Sequence, residues 1–244
     1  IRVVDAYASM IELLKLLKEK FDATNSFESE IHPSAQIHPS ARVEGSVGAN
    51  SIIGPNCFVA SGSVVDEYTI LEANVTLYEG VQIGAGSILQ AGCVIGSRGF
   101  GFRNEASQSG MGKLISVPHF GGVVLGRSVH VGANSVIASG FLEPTLIGAN
   151  SCLDSLVQIA HNVALGENCY LASQSGIAGS TTLGNKVRLA GGAQIAGHLE
   201  IGEGVTVTAK AGVTHSIKAG LTVSGYPAIE HSLWKKLIVR LRNI

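Results

Sequence analysis

The stretch that decides the fold runs from residue 147 to residue 213 and reads IGANSCLDSLVQIAHNVALGENCYLASQSGIAGSTTLGNKVRLAGGAQIAGHLEIGEGVTVTAKAGV. An aliphatic residue occupies every sixth position: Ile147, Leu153, Ile159, Leu165, Leu171, Ile177, Leu183, Leu189, Ile195, Ile201, Val207 and Val213. Neither a helix nor a simple strand has a period of six. Such hexads fold as short strands joined by tight turns, three strands to a coil, so that aliphatic side chains stack from coil to coil. We therefore predict an all-β protein, a left-handed parallel β-helix, with its function on the outer faces.

The residues two positions before each aliphatic residue support this prediction, because positions i and i−2 of a strand point the same way. All of them except Leu199 are small or β-branched: Thr145, Ser151, Val157, Val163, Cys169, Ser175, Thr181, Val187, Ala193, Leu199, Val205 and Ala211. A narrow prism admits one large and one small residue per side. Each buried aliphatic side chain stabilises the fold by roughly 1.5–3 kcal/mol, so the repeat orders this region with little other help.

Composition narrows the class of protein. The chain has 244 residues, 45% of them hydrophobic, with 31 glycines to supply tight turns and a formal net charge of −1. That charge argues against a nucleic-acid partner, whose binding surface would be strongly basic. No apolar run approaches the ~20 residues of a transmembrane segment and no signal peptide is visible, so we expect a cytoplasmic protein. The chain begins without Met, which suggests that the true N-terminus lies upstream or has been removed.

The chain divides into three parts. Residues 1–30 are predicted to hold a short amphipathic helix, over residues 3–20, and a polar connection. Residues 31–226 carry the hexads and form the β-helix, and residues 227–244 form a C-terminal basic helix that opens at Pro227. The four cysteines show no metal or disulfide spacing, and three of them fall at small core positions.

The hexad pattern lapses at residues 97–122 and then returns in register, which predicts a loop that leaves one corner of the prism. This loop contains Phe100, Gly101 and Phe102 in the motif GFGF. Two interpretations stay open: a surface loop folded on its own phenylalanines, or a flap over a substrate site.

The C-terminal helix places leucines on one side and Lys235, Lys236, Arg240 and Arg242 on the other. A solvated helix face is the simpler explanation. The alternative is a docking surface for an acidic partner.

Two of the eight histidines stand out. His161 and His198 are 37 residues apart, two coils of eighteen plus one, so they project from one side of the prism. A histidine suits general-base work because its usual pKa lies near the working pH. Backbone N–H groups of the glycine-rich turn at 176–180 could stabilise an oxyanion. Asp154 lies one face away and could orient an imidazole only near a corner or across a subunit boundary.

Several motifs together closely resemble the UDP-3-O-(3-hydroxyacyl)glucosamine N-acyltransferases of lipid A biosynthesis. They are IHPSAQIHPSA at the start of the repeat, GSRGFGF, LDSLVQIAHNVALGEN, GIAGS, AGHLEI and SGYPA. The resemblance implies a homotrimer that moves an (R)-3-hydroxyacyl group to the 2-amine of a UDP-glucosamine already acylated at O3. The donor is implied to be acyl carrier protein, whose phosphopantetheine arm carries the acyl group, and no bound cofactor or metal is implied.

The resemblance also implies roles for individual residues. His161 would be the general base, His198 a helper, the Gly179 backbone N–H an oxyanion donor, and the basic helix part of the carrier-protein dock. The chain departs from the family where Ala138 and Ser139 replace a usual Asp-Arg pair and where Ser155 replaces Asn. Of the family's N-terminal uridine-binding domain, only the last helix is expected here.

Three other functions remain open on the sequence. A related acyltransferase could use acetyl-CoA or another amino-sugar nucleotide. A zinc hydratase on the same fold would need three converging histidines, and no suitably spaced pair is visible. A non-catalytic scaffold is the third, although both site histidines are kept.

Overall fold

The computed structural model describes residues 5–24, 29–104, 114–225 and 231–241. The hexads form a left-handed parallel β-helix with few helices, which confirms the predicted fold class. Two-residue strands pair in register with the strands one coil away, as Ile53 does with Leu71, eighteen residues later. Each coil contributes one strand to each of three flat faces, which we number in chain order.

The faces contain ten, nine and eight strands. The first face consists of Gln36–Ile37, Ile52–Ile53, Ile70–Leu71, Ile88–Leu89, His130–Val131, Cys152–Leu153, Tyr170–Leu171, Arg188–Leu189, Thr206–Val207 and Thr222–Val223. The second face consists of Arg42–Val43, Phe58–Val59, Thr76–Leu77, Val94–Ser97, Val136–Ala138, Gln158–Ile159, Gly176–Ile177, Gln194–Ile195 and Gly212–Val213. The third face consists of Ser46–Val47, Val64–Val65, Val81–Ile83, Val123–Leu125, Thr145–Ile147, Ala164–Leu165, Thr182–Leu183 and Glu200–Ile201.

The core of the prism is built from the two inward positions of each hexad. The aliphatic residues from Ile147 to Val213 are all buried, and Leu199, the one large residue in the small slots, is half-buried. Most small polar residues inside the prism bond to backbone carbonyls, as Ser51 Oγ does to Asp66 O at 2.8 Å, whereas buried Ser175 Oγ has no partner among the described residues. Buried hydroxyls need such acceptors, because burying one without a hydrogen bond is costly. The inward residues form one continuous hydrophobic cluster along the prism.

The corners between faces are tight turns in which one residue adopts a left-handed conformation. Of the fifteen non-glycine residues with positive φ in the described ranges, seven are asparagines, a residue that tolerates this region well. We call the turns from the first to the second face the first corner, and those from the second to the third face the second corner. The regular stacking of these turns fixes which outward side chains become neighbours.

One loop and one shorter insertion interrupt the coils. The loop leaves after Val94–Ser97 and returns at Val123–Leu125, and it contains the antiparallel strands Phe102–Asn104 and Leu114–Ser116. The predicted excursion at 97–122 includes residues 105–113, which lie outside the described residues. The shorter insertion spans residues 139–144, between two strands on the second and third faces.

Two helices flank the prism. The first, Ala6–Thr24, ends four residues later than the sequence predicted, and its predicted start lies outside the described residues. Ile11 of this helix is buried, and Asp5 just before it forms an ion pair with Arg103 of the loop. The second helix is described over His231–Leu241, whereas its predicted start at Pro227 lies outside the described residues. Within the described residues, neither helix is long and apolar enough to cross a membrane.

Candidate active site

The second corner brings the two predicted site histidines onto one edge of the prism. Three successive turns there hold His161 and Asn162, then Gly179 and Ser180, then Gly197 and His198. Backbone hydrogen bonds stack these turns: Ser180 N–H donates to the His161 carbonyl at 3.0 Å, and His198 N–H donates to the Gly179 carbonyl at 3.1 Å. The edge is thus a rigid column of turns with an imidazole at each end.

The His161 ring lies directly against Gly179. A Cβ atom added at Gly179 would lie only 2.7 Å from both Nε2 and Cε1 of that ring, so any larger residue would displace it. The Gly179 N–H donates to no group among the described residues. A half-buried imidazole therefore lies beside a half-buried backbone donor that is still available to a ligand.

Asn162 fixes the chemical form of His161. Its side-chain nitrogen donates to the Glu143 carbonyl at 3.0 Å, which makes Oδ1 the acceptor for the Phe141 N–H at 2.9 Å. His161 Nδ1 lies 3.2 Å from the same Oδ1. Because an amide oxygen only accepts, Nδ1 carries a proton, so in the neutral imidazole the lone pair lies on Nε2, the atom beside Gly179.

The loop covers His161 through His119. The two imidazole rings meet edge to face with their centroids 5.2 Å apart. The Phe141 ring also meets His119 edge to face, with 6.0 Å between the ring centroids. Burial is the main cause that lowers the pKa of His119, and the charges of His161 and Arg98 lower it further, while a bond to the Val117 carbonyl opposes the shift. These surroundings disfavour the protonated form of His119.

The loop phenylalanines lie on the outer side of this contact. Phe100 is 87% exposed and Phe102 is 52% exposed, and their rings meet edge to face at 5.2 Å. Gly101, between them, is half-buried beneath His119. The phenylalanines do pack on each other, as a plain surface loop would. They also offer an exposed apolar surface on the loop whose glycines, Gly99 and Gly101, pack against His119.

His198 projects more freely than His161. It is exposed and adopts φ 60°, in the left-handed region, at the turn position that Asn162 occupies two coils earlier. Its ring makes no hydrogen bond within the described residues.

Asp154 lies at a different corner. It follows a strand of the first face, whereas His161 follows a strand of the second. Its carboxylate accepts the Ser155 N–H at 2.7 Å and the Ser173 N–H at 3.1 Å. Within one chain, the structure does not bring Asp154 together with the histidines.

The basic helix is described in part. Lys236 and Arg240 are exposed and, at a spacing of four residues, share one side of the helix. The side chain of Lys235 and the whole of Arg242 lie outside the described residues. In the part of the chain that the structure describes, no three His, Cys, Asp or Glu side chains are grouped as a metal site would need.

Two residues of this site were not assigned from the sequence. Asn162 directly follows His161 in the motif QIAHN, and an amide next to a candidate base was the signal available. His119 had no visible partner, because only the path of the loop brings it to His161.

The chain was compared with known proteins. The model of the family described as bacterial transferase hexapeptide (six repeats) matches residues 62–97 and 144–179. The UDP-3-O-acylglucosamine N-acyltransferase of Chromohalobacter salexigens is 47% identical over 173 residues, which cover 70% of this chain and 48% of that protein. The enzyme of the same name from Hydrogenovibrio crunogenus is 48% identical over 172 residues, again 70% of this chain and 48% of the relative.

The chain belongs to the UDP-3-O-acylglucosamine N-acyltransferase family. This confirms the resemblance predicted from the motifs. The chain spans about half the length of the curated relatives that it matches.

Solved structures agree on the fold. The UDP-N-acetylglucosamine acyltransferase of Francisella novicida superposes with a TM-score of 0.66 at 21% identity, over 86% of this chain and 73% of that one. The corresponding protein of Campylobacter jejuni gives a TM-score of 0.65 at 20% identity, over 85% of this chain and 81% of that one. At this level of identity the likeness concerns the fold alone.

Proposed function

We propose that this family member is an N-acyltransferase of lipid A biosynthesis, which moves an (R)-3-hydroxyacyl group from acyl carrier protein to the 2-amine of a UDP-3-O-acyl-glucosamine. The names of its relatives support the reaction class. One observation carries the assignment to a site: the Nε2 lone pair of His161 is presented beside the unbonded N–H of Gly179.

The proposed reaction uses both groups. The neutral 2-amine attacks the thioester carbonyl carbon, and His161 Nε2 accepts the proton that the amine loses on forming the C–N bond. The Gly179 N–H stabilises the negative charge on the tetrahedral oxygen. When the C–S bond breaks, the imidazolium returns the proton to the thiolate, which leaves as the free thiol of the phosphopantetheine arm. His198, two coils away, would help position the donor.

The donor's acyl chain would lie against the loop. Phe100 and Phe102 supply the apolar surface, and the chain itself needs a longer groove than one flat face can form. A homotrimer would supply that groove between neighbouring prisms. The outer row Ile52, Ile70 and Ile88 on the first face supports self-association, because these three residues lie on adjacent strands and Ile52 is 41% exposed.

The carrier protein would dock on the basic helix. Acyl carrier protein is implied by the family resemblance, and an acidic partner fits the exposed pair Lys236 and Arg240. The UDP group is the second predicted partner, and it would bind with the acceptor sugar near the second corner.

The test is an acyl-transfer assay of this chain with two donors and two acceptors. Acyl carrier protein and coenzyme A carry the same 3-hydroxyacyl group, and the acceptor has either a free or an acetylated 2-amine. We expect product only with the free amine and a much higher kcat/KM with acyl carrier protein, from a protein with the mass of a trimer. A preference for acyl-coenzyme A would favour the alternative acyltransferase, and no transfer at all would favour the non-catalytic scaffold. Full activity in a monomer would place the site elsewhere than in an intersubunit groove.

A further inference from the structure

His119 occupies the space between the loop and His161. Its ring meets His161 on one side and Phe141 on another. Its Nδ1 lies 3.0 Å from the Val117 carbonyl oxygen, which can only accept, so Nδ1 is the protonated nitrogen. This bond and the two ring contacts hold the imidazole in a single orientation.

The loop backbone is fitted to that ring. A Cβ atom at Gly99 would lie 2.5 Å from His119 Nε2 and 2.8 Å from the Cβ of His161. A Cβ atom at Gly101 would lie 2.9 Å from His119 Cε1. Both glycines of the GFGF region are therefore required by close approach to the histidine, whereas neither has the positive φ that turns demand of many other glycines. Gly99 is buried against the His119 ring and the Cβ atom of His161.

The surroundings of the ring favour its uncharged form. Two neighbouring groups lower the pKa of His119 further: His161 on the adjoining turn and Arg98 on the loop. A positive charge on either group disfavours protonation of His119. Burial acts in the same direction and is the larger cause of its lowered pKa. A protonated His119 would repel the imidazolium that forms on His161 during the proposed reaction.

We propose that His119 is a positioning residue that seats loop residues 98–102 against His161 and so sets the distance between the apolar loop surface and the general base. It does not exchange protons with the substrate. The inference rests on the proposed function in one respect only, that the chemistry takes place at His161. The seating of the loop can be measured without any substrate.

Removal of the ring should release the loop. In His119→Ala, Phe100 and Phe102 would no longer be held beside His161, and the KM for the acyl donor should rise by about tenfold, the size of one aromatic packing contact. The kcat should change less, because His161 keeps its bonds to Asn162 and its contact with Gly179.

Two further substitutions separate packing from hydrogen bonding. His119→Phe keeps an aromatic ring against Gly99, Gly101 and Phe141 but loses the bond to Val117. His119→Asn keeps a donor for Val117 but loses the ring. If ring packing seats the loop, the phenylalanine variant should restore the KM to within about threefold of the parent, and the asparagine variant should resemble His119→Ala.

Glycine substitutions test the same contact from the loop side. Gly99→Ala should displace the loop, because its new methyl group would overlap the His119 ring and the Cβ atom of His161. Gly212→Ala is the matched control: a Cβ atom there meets nothing within 4 Å, and its φ is not in the left-handed region. Melting temperatures of all variants show whether the prism remains folded.

Hydrogen exchange of the amides of residues 98–102 reports the seating of the loop in the whole protein without substrate. We expect faster exchange in His119→Ala and Gly99→Ala, and parental exchange in His119→Phe and Gly212→Ala. Parental exchange in all four variants would overturn the positioning role. Faster loop exchange with an unchanged KM would show that the loop position does not matter to the reaction and would also overturn it. If the parent transfers no acyl group but the exchange pattern holds, the proposed function fails and the structural role of His119 stands.

Discussion

The first and second corners of the prism have the same backbone turn but use it differently. At the first corner, outward side chains bond to amides of the next coil: Glu72 Oε2 accepts the Ala91 N–H at 3.0 Å, and Asp154 Oδ2 accepts the Ser173 N–H at 3.1 Å. Gln90 makes a similar bond to the next coil. These side chains join one coil to the next. We call them coil staples.

At the second corner the equivalent amide is left open where the histidines lie. Gly179 has an imidazole above it instead of a carboxylate, and its N–H has no acceptor within the described residues. Within the described ranges, the Asn162 side chain does not bond to the next coil. It bonds instead to Phe141 and Glu143 of the short insertion and to His161. What distinguishes the second corner is the imidazole beside this amide, since a free backbone donor next to a base can serve a developing oxyanion.

The largest expected effect is the loss of the base at the second corner. His161→Ala should lower kcat by ~10²–10⁴, while the melting temperature stays nearly unchanged because a turn side chain contributes little to the stacked core. His38→Ala is the matched control, since His38 is also a turn histidine but its ring bonds only to neighbouring Ser40 within the described residues. Initial rates and melting temperatures of the parent, His161→Ala and His38→Ala test this prediction.

Two additional observations sharpen the test of His161. Raising the pH should partly restore the rate of His161→Ala, because more of the acceptor amine is then deprotonated without help. His198→Ala should cost less than His161→Ala, because a positioning group shares its work with backbone donors. A parental rate in His161→Ala would remove the distinction between the two corners.

A smaller effect is expected for the basic helix, because its proposed role is to dock the carrier protein and not to take part in the chemistry at a corner. Replacing Lys235, Lys236, Arg240 and Arg242 with Ala should raise the KM for acyl carrier protein by about tenfold at low salt, with kcat little changed, because exposed charge pairs contribute modestly and are screened by salt. Lys236→Ala alone can be compared with Lys218→Ala, which removes an exposed lysine from the last coil. Equal KM values for these two single variants at low salt would show that the helix is a solvated face with no docking role.

The sequence predicts the fold well because the fold is periodic. A step of six places Ile147 to Val213 in the core, and the same arithmetic puts His161 and His198 on one edge. The helix over Ala6–Thr24 was also predicted, although its end was not.

The sequence cannot predict the contacts made by segments that leave the repeat. The bond from Asn162 to Glu143 and the approach of His119 to His161 depend on the paths of an insertion and a loop, and these paths have no period. The same limit applies to Asp154. Its spacing from His161 indicated only that it lies one face away, and its bond to the Ser173 amide appears once the coils are stacked.

The smallest expected effect concerns Asp154, and it tests the comparison of the corners most directly. If Asp154 is a coil staple, Asp154→Asn should leave kcat within about threefold and lower the free energy of unfolding by about 1 kcal/mol, because one of its two charge-assisted bonds to a backbone amide is lost at an exposed site. Glu72→Gln is the matched control, since Glu72 staples Ala91 in the same way on a distant coil. The two variants should lose similar stability in urea unfolding, and neither should change the pH dependence of acyl transfer. A fall in kcat of about 10² in Asp154→Asn alone, the usual size for a group that assists a general base, would instead mean that its carboxylate reaches His161 of a neighbouring subunit. The first corner at Asp154 would then belong to the reactive site, and the distinction between the two corners would be wrong.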